Sequence, residues 1–168
     1  MDWSKFKTRK EALRYIKDNV GWVITEEDAR AYLAQNVPRE AQYQARVIDA
    51  LKRKYPAAFI WKAAAGFYSQ GGIPDVCMVL DGQYFGFEIK RPFFGRATAL
   101  QLVTLGKIRA AGGVAEIVTY PAEAFEIIDK TMERRRHAAK TGADKGGTSG
   151  RDTRSEKGAQ GALASDGV

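Results

Sequence analysis

Asp75, Glu88 and Lys90 are the residues whose types and spacing point most directly to chemistry. Asp81-Gly82 lies between them and is a two-residue hairpin signal. Strand side chains alternate, so Glu88 and Lys90 share one face while Ile89 points to the other. Asp75 and Glu88 stand at matching distances from the turn, so the folded hairpin sets them side by side. Two carboxylates and an ammonium then converge at one end of a sheet. Val76, Met78, Val79, Phe85, Phe87 and Ile89 surround them, which places the cluster beside a core. Adjacent carboxylates repel unless something neutralises them. A hard divalent cation does so, and Mg²⁺ takes one or two carboxylates together with waters and phosphate oxygens. The same residues also suit a plain surface hairpin with an exposed Glu–Lys pair.

Three further features bear on the choice. Glu40 shares one helix face with Tyr43, Gln44, Val47, Ile48 and Leu51. A carboxylate at the end of such a stripe is either a partner of the helix dipole or a site residue. Gln101 shares a face with Leu105 and Ile108, so it is either a site residue or a helix-start residue bonded to a loop. Gly71-Gly72 precedes Ile73-Pro74-Asp75. Glycines permit close backbone approach and proline fixes the entry to a strand.

The elements that must position these residues can be read along the chain. Thr8-x-x-Glu11 and Thr25-x-x-Asp28 resemble capping boxes, so residues 1–37 are expected to form an N-terminal helical extension. Trp3, Phe6, Leu13, Ile16, Trp22, Ala31 and Leu33 are its candidates for packing on the main domain. Pro38 suits the first turn of the next helix, which Lys52-Arg53-Lys54 closes. Phe59-Ile60-Trp61 reads as a strand, Ala63 to Gly72 as a loop, and Val76 to Leu80 as a central strand buried on both faces. Tyr84 to Lys90 is its hairpin partner. Thr98 to Ala111 reads as a helix stopped by Gly112-Gly113, Val114 to Thr119 as a strand, and Pro121 to about Arg136 as the last helix. The order implies an α/β fold: a mixed β-sheet flanked by helices. The domain proper covers residues 38–136. Residues 137–168 hold too few large apolar side chains to offset the entropy of ordering and read as a disordered tail.

Composition narrows the options. The chain has 168 residues and a formal net charge of +7, which favours an anionic partner such as nucleic acid. One cysteine, Cys77, excludes an internal disulfide and a cysteine-rich zinc site. One histidine, His137, excludes a histidine pair within the chain. No apolar run reaches the roughly 20 residues of a membrane span, and the N-terminus lacks a signal-peptide pattern. A cytoplasmic location and no membrane partner are the expectation.

The ordered set Glu40…Tyr43-Gln44…Leu51, Gly72-Ile73-Pro74-Asp75, Glu88-Ile89-Lys90, Gln101 and Gly112-Gly113 resembles the VRR-Nuc (virus-type replication-repair nuclease) family of the PD-(D/E)xK nuclease superfamily. The resemblance covers roughly residues 38–120. It implies a restriction-endonuclease-like core and Mg²⁺-dependent hydrolysis of DNA phosphodiester bonds, with Mn²⁺ able to substitute. Asp75 and Glu88 would be metal ligands, joined by Glu40 directly or through water and by the Ile89 backbone carbonyl. Lys90 would orient or help deprotonate the attacking water, or stabilise charge on the phosphate, and Gln101 would support the site. The resemblance further implies a structure-selective endonuclease of phage or bacterial replication and repair, acting on branched or junction DNA as a homodimer. The alternatives are a flap- or end-trimming nuclease and a catalytically silent DNA-binding module. Lys62, Arg91, Arg96, Lys107 and Arg109 flank the site in sequence and are either phosphate contacts or solvated surface charges. Cys77, inside a strand, reads as a buried apolar residue.

Overall fold

The computed structural model describes residues 1–63 and 71–144, the last three by their backbone alone. It divides into two compact units, Met1–Thr131 and Met132–Val168. Most of the loop expected between Ala63 and Gly72, and the tail beyond Asp144, lie outside the described residues.

The first unit is an α/β fold. A 3₁₀ turn (Trp3–Lys5) leads into α1 (Arg9–Asn19), α2 (Glu26–Asn36) and α3 (Glu40–Lys54). Strands β1 (Phe59–Lys62), β2 (Val76–Leu80) and β3 (Gln83–Ile89) follow, then α4 (Ala99–Ala110), β4 (Val114–Val118) and α5 (Pro121–Asp144). The sheet order is β1-β2-β3-β4. The first two pairings are antiparallel and β3 pairs with β4 in parallel, so the sheet is mixed. α4 supplies the crossover that a parallel pair requires.

The hairpin forms as its turn residues dictate. Asp81 and Gly82 both have positive φ, 47° and 73°, as a type I′ turn demands. Pairing runs from Leu80↔Gln83 to Val76↔Phe87. One step further along the same register sets Asp75 opposite Glu88. α3 packs on β1 and β3, and α4 on β3 and β4. Helices on either side explain why Phe85, Phe87, Ile89 and also Glu88 are buried. In β2, Val76, Cys77 and Met78 are buried while Val79 and Leu80 are half-buried. The Cys77 thiol accepts from the Tyr84 hydroxyl at 3.2 Å, and burial pushes its pKa up, so it behaves as an inert core group.

The N-terminal helices begin as their sequences suggest. Thr25 and Asp28 form a full capping box. Thr8 accepts from the Glu11 amide, while Glu11 reaches the Lys7 amide one residue earlier than the box would require. Of the expected packing residues, Trp3, Ile16 and Leu33 are buried, and Phe6 and Leu13 are half-buried. Trp22 and Ala31 are corrections: both are exposed, Trp22 by 62%. Ala31 lies about 200° around α2 from Ala29, on the far side from the buried Ala29 and Leu33. Val23 takes the inward position beside Trp22, which rests on Tyr32 at the surface.

Two boundaries also differ. Pro38 precedes α3, whose N-cap is Arg39 and whose first residue is Glu40. The last helix runs through Arg134-Arg135-Arg136 to Asp144, because Ala138, Ala139 and Lys140 are strong helix formers and no proline interrupts them. In the second unit, Thr141 Oγ1 donates to the His137 carbonyl at 3.1 Å, a bond within that helix.

Candidate active site

The end of β3 carries the cluster. Glu88 is 1% exposed and Lys90 8%. Lys90 Nζ donates to Glu88 Oε1 at 2.6 Å. Gln101 Nε2 donates to the same oxygen from the first turn of α4. Among the described residues, Glu88 Oε2 is buried without a hydrogen-bond partner. Such an atom costs free energy unless something arrives to satisfy it. Asp75 stands beside Glu88 as a second carboxylate. Burial pushes the Glu88 pKa up, the Lys90 hydrogen bond works against that, and the Asp75 charge adds to the rise.

Asp75 is held by the backbone of the opposite strand. Its Oδ2 accepts from the Ile89 amide at 2.8 Å. β2 begins only at Val76, so the Asp75 carboxylate takes the ladder bond that the chain no longer provides. The N–H and C=O of one strand residue point to the same side. The Ile89 carbonyl is therefore turned towards Asp75 rather than β4, where Lys90 N donates to the Val118 carbonyl at 3.0 Å.

Glu40 approaches from α3. Its Oε1 lies 3.6 Å from Lys90 Nζ, and its Oε2 accepts from the Arg91 amide at 3.3 Å. It also occupies the first turn of α3, where the dipole favours an acid, as the dipole alternative expected. It does not complete an acidic trio with Asp75 and Glu88. Among the described residues no group of three or more His, Cys, Asp or Glu stands close enough to share a metal ion. For Lys90, burial would lower the pKa, but Glu88, Glu40 and Asp75 outweigh it and hold the ammonium above the ordinary lysine range.

Gln101 both caps its helix and reaches Glu88. Its Oε1 accepts from the Thr98 amide at 2.8 Å and Thr98 Oγ1 accepts from the Gln101 amide, a capping box. The cap fixes the amide plane and aims Nε2 at Glu88. Gly72 has φ +85°, and a Cβ there would lie 2.7 Å from Thr104 Oγ1 and 3.0 Å from the Leu100 carbonyl. The glycine lets the strand entry pass against α4, which brings Asp75 and Gln101 to one place.

The flanking cations divide. Arg91 is not a free phosphate contact. Its guanidinium donates to the carbonyls of Ala34, Val37 and Pro38 at 2.7, 2.6 and 3.0 Å, closing the C-terminal end of α2. Arg109 Nε donates to the Ala115 carbonyl at 2.7 Å and lies 3.5 Å from Glu116. Lys62, Arg96 and Lys107 are exposed. Sequence reasoning missed the turn after Lys90, where Phe93 has φ +67°, a strained conformation for an aromatic residue. Its signal was Pro92-Phe93-Phe94-Gly95 directly after Lys90-Arg91.

No family model matches the sequence, and no curated protein does either. In structure, the chain matches a solved VRR_NUC domain at 20% identity and a TM-score of 0.43, over 52% of this chain and 95% of that one.

Proposed function

We propose that the chain is a metal-dependent nuclease that hydrolyses DNA phosphodiester bonds. The observation that carries this reading is Glu88 Oε2, buried beside Asp75 and without a partner among the described residues, while Lys90 and Gln101 occupy Oε1. Two adjacent carboxylates, one with a buried oxygen that no described residue satisfies, fit a hard cation. Asp75, Glu88 and the Ile89 carbonyl would hold Mg²⁺ or Mn²⁺, with Glu40 acting at one remove through water. The bound ion would polarise the scissile phosphate and lower the pKa of the attacking water.

The chain's own residues supply the remainder. Lys90, charged and pinned between Glu88 and Glu40, presents its ammonium where negative charge develops on the phosphate. That geometry favours charge stabilisation over proton abstraction. Gln101 keeps the Glu88 carboxylate in one orientation. Arg91 anchors the backbone just beyond Lys90 to α2.

The finer reading is a structure-selective endonuclease for branched DNA. Cutting two strands symmetrically needs two sites about a two-fold axis, so the acting species would be a homodimer. The test is incubation with linear, flapped, nicked and four-way DNA in Mg²⁺, Mn²⁺ or EDTA, with molecular mass measured alongside. Cleavage of the four-way substrate with either metal and none in EDTA is expected. Preferred cutting of flaps or ends would replace the junction reading. Binding without cleavage of any substrate would leave a silent DNA-binding module.

A further inference from the structure

The N-terminal helices carry cations for which the active site has no use. Arg9, Lys10, Arg14 and Lys17 of α1 and Arg30 of α2 line a groove of about 770 Å³. Two carboxylates line it as well, and both are matched. Asp18 lies 3.8 Å from Arg14, and Glu26 pairs with Arg30 at 2.5 Å. Lys10 and Lys17 have no ion-pair partner among the described residues. The groove therefore holds five cations against two carboxylates.

Its position links it to the site. The Arg9 guanidinium lies 5.3 Å from the centre of the Phe94 ring, and that of Arg91 lies 4.5 Å from the same ring. Phe94 belongs to the turn that follows Lys90, so the groove begins at the end of the active-site strand. Lys10, Arg14 and Lys17 are spaced by four and three residues, which aligns them on one face of α1. From Arg9 to Lys17 the helix advances ~12 Å. That spans roughly three to four base-pair steps of 3.4 Å.

We propose that this groove binds the phosphate backbone of a duplex DNA arm leaving the active site, so that α1 and α2 extend the substrate-binding surface. The inference rests on the nuclease reading for the identity of the anion. Long, exposed basic side chains in a row suit phosphates and carry no base code, so the contact adds affinity and orientation without sequence preference. Arg91 serves as the brace between this surface and the site, because it fastens the end of α2 to the residue after Lys90.

The test is DNA binding by the full chain in EDTA, with a four-way junction and a linear duplex, across a series of salt concentrations. The variant is Lys10→Ala/Arg14→Ala/Lys17→Ala, and the control is Lys52→Ala/Arg53→Ala, exposed at the end of α3. Each lost phosphate contact removes about 0.9 from the slope of log K against log salt. The groove variant should lose about 2 to 3 units of slope and bind at least tenfold more weakly at ~0.1 M salt, with the control near wild type. Lys10→Gln/Lys17→Gln, which keeps the Arg14–Asp18 pair, should lose up to about 2 units if the triple variant proves unstable. Unchanged slope and affinity, an equal loss in the control, or no DNA binding by the wild type would overturn the groove. Cleavage in Mg²⁺, measured separately, reports on the nuclease reading. A groove variant that loses binding while the wild type cuts nothing would keep the groove and discard the nuclease.

Discussion

Gln101 and Lys90 converge on one oxygen of Glu88, and this asymmetry organises the site. Oε1 receives both donors, while Oε2 is left buried and without a partner among the described residues. A carboxylate that served only to neutralise Lys90 would have no reason to be held so that its other oxygen stays unsatisfied. The first testable consequences therefore concern the groups that orient it.

Gln101 has two roles that separate by mutation. Gln101→Leu should slow cleavage by about 10- to 100-fold and raise the Mg²⁺ concentration needed, as loss of a ligand-orienting partner does. Thr98→Ala removes the Oγ1 half of the cap and keeps the backbone amide that holds Gln101 Oε1. It should cost about 1 kcal/mol of stability, with most of the activity retained. Metal titrations of the cleavage rate together with thermal melts distinguish the two. Equal loss of activity in both variants would mean that Gln101 acts only through the cap.

Lys90 neutralises a buried charge, so its removal should be felt in the fold as well as in catalysis. Lys90→Ala should lose about 3 kcal/mol, because it strands the Glu88 carboxylate. Adding Glu88→Gln should restore much of that, a coupling that a double-mutant cycle by urea denaturation measures. In turnover, Lys90→Ala should depress kcat and kcat/KM alike, as expected for charge used in the transition state. A change in KM alone would make Lys90 a substrate clamp.

Gly72 tolerates no side chain. A Cβ would press on Thr104 Oγ1 and the Leu100 backbone, and the positive φ adds strain. Gly72→Ala should destabilise by about 1 to 3 kcal/mol and displace Asp75 from the Ile89 amide. Cleavage should fall while DNA binding persists. Wild-type activity in Gly72→Ala would show that the strand entry has slack around the site.

Alkaline stability should depend on Tyr55. Burial and its hydrogen bond to Asp129 push its pKa from 10.0 up to about 12. A tyrosine with a raised folded pKa contributes stability that is present below the unfolded value and lost as pH rises through the folded one. Unfolding free energy should therefore decline between pH 10 and about 12. Tyr55→Phe should flatten part of that decline and cost about 1 kcal/mol at neutral pH through the lost hydrogen bond. Parallel slopes for the two proteins above pH 10 would count against this assignment.

Much of the candidate site was legible in the amino-acid sequence, for a local reason. The Asp81-Gly82 turn determines the register, and period-two alternation then sets Asp75 beside Glu88 with Lys90 on the same face. The cap at Thr25 is likewise contained within four residues and formed as read. These features depend on neighbours in the chain, and neighbours are what a sequence displays.

Only the tertiary structure decided which distant groups meet. Arg91 reads in sequence as either a phosphate contact or a solvated surface charge, yet the end of α2 arrives with unsatisfied carbonyls and takes its guanidinium. Glu40 lies on the apolar stripe of α3, and the placement of that helix against β3 turns it to Lys90 and the Arg91 amide. Trp22 is the larger of the two side chains, but the path of the chain between α1 and α2 buries Val23 and leaves the tryptophan outside. Hydrophobic type states what gains from burial. The packing of whole elements determines which residues are buried, because each face of a helix or strand can meet only one neighbour.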